Sequence, residues 1–391
     1  DMLREAGHQV GAVVTRNADV AAWAKDAEIP AVSADADLAA ELGGMSFDWL
    51  LSIANLDMIP DTVLALPKRG AVNFHDGPLP RYAGLNAPVW ALINGETEYG
   101  ISWHMISGGV DEGDLLAQQF FDIAPDETTL TLNTKCYAAA IEGFSTVIDK
   151  LGQPAPVLTK QNLSERSYFA KNDRPAAAGR LDFTRSARAI TTLVRALDHG
   201  GYWNPLACPK IEAQGRVWLV SGAQAGKAAS DSPAGTVLEV TDDSLTVATS
   251  TAPVTLSGLR TATGAPATPA QLANPGDTLP SPDAAEAENL SNALKQTLKA
   301  EPKWRARLEE MTPGALPLID TGAPEADITS QALDLPDGTT PAHLRQAVAA
   351  LFLHLSDSEE VTLAAELAAE SMGYLNPWVP VRASDIETDL A

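Results

Sequence analysis

Ala71-Val72-Asn73-Phe74-His75-Asp76-Gly77-Pro78-Leu79-Pro80 is the stretch whose reading decides the fold. A short apolar run takes on polar residues at its end and then breaks into a Gly- and Pro-containing loop. The run predicts a buried strand over 71–75, and the loop marks its C-terminal end. Upstream, apolar runs at 10–15, 29–32 and 48–53 predict further strands, and 19–26 predicts a helix. Residues 1–8 read as the tail of a helix with a Gly stop. Downstream, helices are expected over 87–94 and 128–151 and strands over 100–105 and 115–120. Short continuous apolar strands alternating with helices predict an α/β unit built on a doubly wound, mostly parallel sheet. Ligands of such sheets sit outside the carboxyl ends of the strands. Asn73 and His75 fall at such an end.

The chemistry of that end follows from three residue types. Side chains alternate along a strand, so Asn73 and His75 face one side together. A carboxylate, Asp111, lies in the turn Gly109-Val110-Asp111-Glu112-Gly113-Asp114. An amide, an imidazole and a carboxylate suffice to move a one-carbon acyl group onto an amine. The tetrahedral intermediate carries charge on its former carbonyl oxygen. One amide donor to that oxygen contributes about 3–4 kcal/mol, a role that fits Asn73. The attacking amine loses a proton and the leaving nitrogen gains one, and His75 can shuttle it for roughly 100- to 10,000-fold in rate. Asp111 fits as the carboxylate that supports His75. His104, between Trp103 and Met105, is expected to be a core or supporting histidine. His8, His199, His343 and His354 lack any partner pattern and read as structural. The spacing of His75, His104 and Asp111 matches no common zinc pattern, so no metal is expected.

At these residues the chain resembles the folate-dependent formyltransferases, of the methionyl-tRNA formyltransferase and formyltetrahydrofolate dehydrogenase type. The resemblance rests on the Asn73-x-His75 strand end, the loop Leu79-Pro80-Arg81-Tyr82-Ala83-Gly84 and the Asp111-Glu112-Gly113-Asp114 turn. The loop departs from the family at Gly77-Pro78, where Ser-Leu is usual, and at Ala83, where Arg is common. The resemblance implies a Rossmann-like catalytic domain and 10-formyltetrahydrofolate as formyl donor. It implies that Asn73, His75 and Asp111 are catalytic. It also implies that Ile53, Asn55, Leu56, Ile59, Leu79, Pro80, Gly109 and Val110 line the folate site. In that family a first strand precedes the helix at 1–8, so the chain is expected to lack it.

A second unit follows a predicted linker over 152–166. Helical periodicity runs over 186–197, and short strands are expected over 217–220, 235–240, 244–249 and 253–256. They predict a small β-barrel over 167–264, matching the C-terminal barrel of the resembled family. The catalytic domain is then 1–151. A Pro- and Ala-rich linker is expected over 265–285. Beyond it, 303–308 and 344–353 resemble pieces of a condensation-type domain of a nonribosomal peptide synthetase. Residues 286–391 are therefore expected to be a partial α/β synthetase segment without the His-His motif of active condensation domains. An amphipathic helix is expected over 363–372.

Charge bears on partners. Residues 1–167 carry 10 Lys and Arg against 23 Asp and Glu, 168–264 carry 10 against 8, and 265–391 carry 7 against 20. Nucleic-acid binding needs clustered cations, so no nucleic-acid partner is expected and methionyl-tRNA is disfavoured as acceptor. The expected acceptor is an amine, namely an aminoacyl group on a carrier protein. The alternatives are methionyl-tRNA, a sugar amine, water in a formyltetrahydrofolate hydrolase, or no acceptor in an inactive folate-binding domain. Cys136 and Cys208 lie far apart and read as plain thiols, and no apolar run is long enough to span a membrane. A cytoplasmic enzyme without a membrane partner is expected.

Overall fold

The structure, a computed structural model, describes residues 1–311, 332, 334–356, 360–366 and 378–382. The N-terminal unit runs α1 (Met2–Glu5), β1 (Val13–Thr15), α2 (Ala18–Asp26), β2 (Ala31–Ser33), α3 (Leu38–Gly43), β3 (Trp49–Ser52), α4 (Asp61–Leu64) and β4 (Gly70–His75). It continues through β5 (Ala83–Gly84), α5 (Ala87–Ile93), β6 (Glu98–Met105), β7 (Leu115–Asp122) and α6 (Thr129–Gly152). Helix starts follow their caps: Asn17 accepts from the backbone of Asp19 and Val20, and Thr128 forms a reciprocal capping box with Thr131.

Pairing is parallel between β1 and β2 and between β3 and β4. It turns antiparallel from β4 to β6 and from β6 to β7, giving a four-stranded sheet of order β3-β4-β6-β7. This is the α/β, Rossmann-like catalytic unit expected from the sequence, with the parallel pairs in its first half. Val72, Phe74, Ile101, Trp103 and Leu116 of the sheet pack with Trp90 of α5 and Leu132 and Cys136 of α6. The end of α6 is tied to the sheet edge, because Leu151 O accepts from Trp49 Nε1 at 3.1 Å and from Arg69 Nη1 at 2.8 Å. That anchors a 24-residue helix at the end opposite its capping box.

The connection after α6 is pinned to the sheet at several points. Thr159 bridges Leu115, and β8 (Tyr168–Phe169) pairs in parallel with β5. The second unit holds α7 (Ala187–Ala196), β9 (Lys210–Ala213), β10 (Arg216–Leu219), β11 (Gly222–Ala225), β12 (Val237–Val240), β13 (Ser244–Val247), β14 (Val254–Ser257) and β15 (Arg260–Thr261). Its strands form antiparallel sheets of order β15-β10-β9 and β11-β14-β13-β12 around one core. Inward residues alternate, as in Leu245 and Val247 or Val254 and Leu256.

The 265–285 stretch is partly structured: Leu272, Ala273 and Leu279 enter the second core. Next come α8 (Ala284–Thr297), α9 (Glu301–Glu310), α10 (Pro341–Ser356), β16 (Thr362–Glu366) and β17 (Trp378–Arg382). The helix expected over 363–372 is corrected in its first part, since 362–366 pair antiparallel with 378–382. The rest of that expectation falls outside the described residues. No helix among the described residues is long and apolar enough to cross a membrane.

Candidate active site

The site is built at the C-terminal end of β4. Register sets Asn73 opposite His104 and His75 opposite Ser102 on β6. Asn73 Nδ2 lies 3.2 Å from His104 Nε2. His75 is buried, and its Nε2 lies 2.8 Å from Tyr82 O. A carbonyl only accepts, so Nε2 carries the proton there. Nδ1 is the atom left to exchange one. It lies 3.7 Å from Asp111 Oδ2 and 3.9 Å from Asp76 Oδ1.

Asp111 stands at the centre. Its Oδ1 is 3.3 Å from His104 Nε2, and its Oδ2 accepts from Gly84 N at 2.8 Å. The carboxylate therefore lies nearer to His104 than to His75. A β-bulge between Trp103 and His104 re-aims the His104 ring. His104 Nδ1 donates to Met105 O at 2.9 Å, which leaves Nε2 for the site. In a neutral ring Nε2 accepts from the Asn73 amide; in a charged ring it donates to Asp111. Burial alone would push the Asp111 carboxyl up. The His104 hydrogen bond, the field of His75 and the Gly84 N–H outweigh it and hold the group down at about 2. Asp76 moves the other way: burial raises its carboxyl, with His75 opposing.

The loop after β4 is fixed by residues on β6 and β7. Tyr99 Oη donates to Asp76 O at 2.8 Å, and Ser102 Oγ donates to Gly77 O at 2.7 Å. Leu79 N donates to Ser102 Oγ at 3.0 Å, and Gln118 Nε2 donates to Leu79 O at 2.7 Å. A Cβ at Gly77 would fall 2.7 Å from His75 Nε2, so glycine is what lets this loop pass the imidazole. Ser102 and Gln118 were not singled out in the sequence. Their one signal is polarity within otherwise apolar stretches of β6 and β7.

The expected folate-lining residues separate into groups. Ile53, Asn55 and Leu56 follow β3 in an open loop, with Leu56 80% exposed, and Ile59 is half-buried. Exposed apolar side chains at a strand end can cover a flat ring. Val110 is also exposed, and Gly109 N donates to Glu112 Oε2 at 3.2 Å. Leu79 differs: its side chain is buried with Ala83 and Leu115, so it braces the loop from within. Pro80 is half-buried. Among the described residues no group of three or more His, Cys, Asp or Glu is placed to hold a metal ion.

Comparison with known proteins adds a family. Residues 5–148 match the family described as formyl transferase, and 175–275 match the formyl transferase C-terminal domain. Similar solved structures include the N-formyltransferase from Helicobacter canadensis with folinic acid and dTDP-3-aminofucose. It is 17% identical, with 60% of this chain and 81% of that one covered at a TM-score of 0.46. WlaRD, a sugar 3N-formyl transferase, is 18% identical, covers 62% and 85%, and has a TM-score of 0.46. HypX from Aquifex aeolicus in complex with tetrahydrofolic acid is 20% identical, covers 61% and 40%, and has a TM-score of 0.43.

Proposed function

This chain belongs to the formyltransferase family, and from that premise we propose that it moves the formyl group of 10-formyltetrahydrofolate onto an amine. The observation that carries the reading is the convergence of one amide, two imidazoles and a depressed carboxylate at the end of β4. In this reading the amine attacks the formyl carbon. Asn73 donates to the developing oxyanion. His75 Nδ1 takes the amine proton and returns it to the leaving folate nitrogen. Asp111 stabilises the imidazolium that forms between the two transfers. The exposed Ile53 and Leu56 and the half-buried Ile59 hold the pterin, with Gly109 and Val110 on its other side and Pro80 at the loop.

The acceptor we propose is an aminoacyl group on a carrier protein. The acidic balance of 1–167 and of 265–391 supports it against a tRNA. So does the synthetase-like reading of 303–308 and 344–353.

The test is acceptor selection. The chain is incubated with isotope-labelled 10-formyltetrahydrofolate and, in turn, an aminoacyl carrier thioester, an aminosugar nucleotide, methionyl-tRNA and no amine, with products resolved by mass. Label on the carrier-bound amino acid is the expected outcome. Label on the sugar or the tRNA keeps the transfer reading and removes the carrier. Formate without an amine product makes the chain a hydrolase, and no product at all makes it a folate-binding domain.

A further inference from the structure

We infer that Gln161 is a positioning residue for the Asp111 carboxylate. The connection between the two units is then a working part of the site and not a tether. The inference rests on the transfer reading above for what Asp111 does, and on geometry for how it is held.

Asp111 needs holding. Its backbone is left-handed, at φ 56°. For a residue other than glycine that conformation costs on the order of 1–3 kcal/mol and persists only where the surroundings fix it. The turn has no slack on its far side, because a Cβ at Gly113 would lie 1.8 Å from Met105 O. Gln161 supplies the fixing contact. Its Nε2 donates to Asp111 O at 2.8 Å and to Gly113 O at 2.6 Å, one bond on each side of Glu112.

The amide orientation is determined by these partners. With the amide reversed, Oε1 would face two carbonyl oxygens and both donors would be lost. In the orientation found, Oε1 is buried without a partner among the described residues. The two bonds to the Asp111 turn are therefore what orient this side chain. The same segment holds the other side of the site. Arg166 Nη2 donates to Val110 O at 2.9 Å, Ser167 Oγ accepts from Tyr82 N at 2.7 Å, and β8 pairs with β5. Tyr82 and Gly84 are the residues whose backbone atoms meet His75 and Asp111.

Gln161→Ala and Gln161→Glu test this in the full chain. Glu keeps the reach but, as a carboxylate, has no donor for the two carbonyls. Crystal structures of both variants are solved, donor-site affinity is measured with 5-formyltetrahydrofolate by calorimetry, and turnover of 10-formyltetrahydrofolate is followed with whichever acceptor serves the unaltered chain. The expected result is a broken Asp111–Gly84 hydrogen bond in both variants, with kcat lower by about tenfold or more from misplaced catalytic groups. Affinity for 5-formyltetrahydrofolate should stay close to that of the unaltered chain, and melting temperature should fall by no more than the lost hydrogen bonds account for. An intact Asp111–Gly84 bond overturns the inference, and so does a moved carboxylate with unchanged kcat. An equal loss of affinity, rate and melting temperature assigns Gln161 to general stability and also overturns it. If the unaltered chain turns over no formyl donor, the transfer reading fails, while the Asp111 geometry of the variants still decides this inference.

Discussion

Asp111 joins the acid–base chemistry of the site to the stability of the chain. Its carboxyl is held at about 2 against an ordinary 3.8. A folded value below the unfolded one gives stability that is present above about pH 4 and lost as pH falls towards 2. At 1.36 kcal/mol per pH unit this amounts to about 2 kcal/mol at neutral pH. Asp111→Asn should therefore unfold more easily than the unaltered chain at pH 7, and the gap measured by urea titration should close between about pH 4 and pH 2. A gap independent of pH would show that the charge contributes nothing. The same variant should lower turnover by orders of magnitude in the proposed reading. Gly77 makes a second case. A Cβ there would press on His75 Nε2 and lie 3.0 Å from Tyr82 O. Gly77→Ala should break the His75–Tyr82 hydrogen bond and lower kcat by about a hundredfold, as small misplacements of catalytic groups do; an unchanged kcat would mean that the bond does not set the imidazole. Asn73 and His75 could be placed on one face because strand alternation suffices, and Asp111 joined them through the turn that the resembled family shares. The nearer partner of Asp111, His104, was legible only as a supporting histidine, because a bulge sets its aim and a bulge has no local signature. The burial of Leu79 was not legible either, since its neighbours Ala83 and Leu115 are brought to it by the chain's return.

Among the elements, the N-terminal strands and α6 were readable from apolar runs and periodicity alone. β9 and β11 were not: Lys210-Ile211-Glu212-Ala213 and Gly222-Ala223-Gln224-Ala225 lack β-branched enrichment, and their pairing with β10 and β14 decides them. β16 was read as helix because its alanines carry helical propensity. Its partner β17 lies more than ten residues away and overrides that preference. The docking of α8 was also invisible. Arg180, 3% exposed, reaches Glu286 on α8 and lies 3.1 Å from Glu212 on β9. Ser291 Oγ on α8 accepts from Ala177 N at 3.1 Å. Both carboxylates are partly exposed, which screens the pair. Arg180→Ala should cost about 1–2 kcal/mol after that discount, read as a lower melting temperature. An unchanged melting temperature would show that α8 docks without the ion pair.

At the scale of the whole molecule, charge constrains the partner. Acidic surplus on 1–167 and near-neutrality on 168–264 leave few cations to neutralise phosphates. A chain making several phosphate contacts would lose affinity steeply with salt, by about 0.9 log units of affinity per log unit of salt for each contact to duplex DNA. Gel shifts with initiator tRNA at physiological salt should show no complex, and salt-sensitive binding there would restore a tRNA acceptor. The connection between the two units is part of the catalytic unit's surroundings, since 159–169 reaches both the sheet and the Asp111 turn. The acceptor was not legible from sequence, because acceptor pockets are shaped by variable loops. The central claim is that His75 moves the proton in formyl transfer from 10-formyltetrahydrofolate. It is tested most directly by comparing the unaltered chain with His75→Ala, measuring 5-formyltetrahydrofolate affinity and consumption of 10-formyltetrahydrofolate side by side. The account predicts near-equal affinity and a loss of turnover of about 100- to 10,000-fold in the variant. Equal turnover by the two proteins would contradict it.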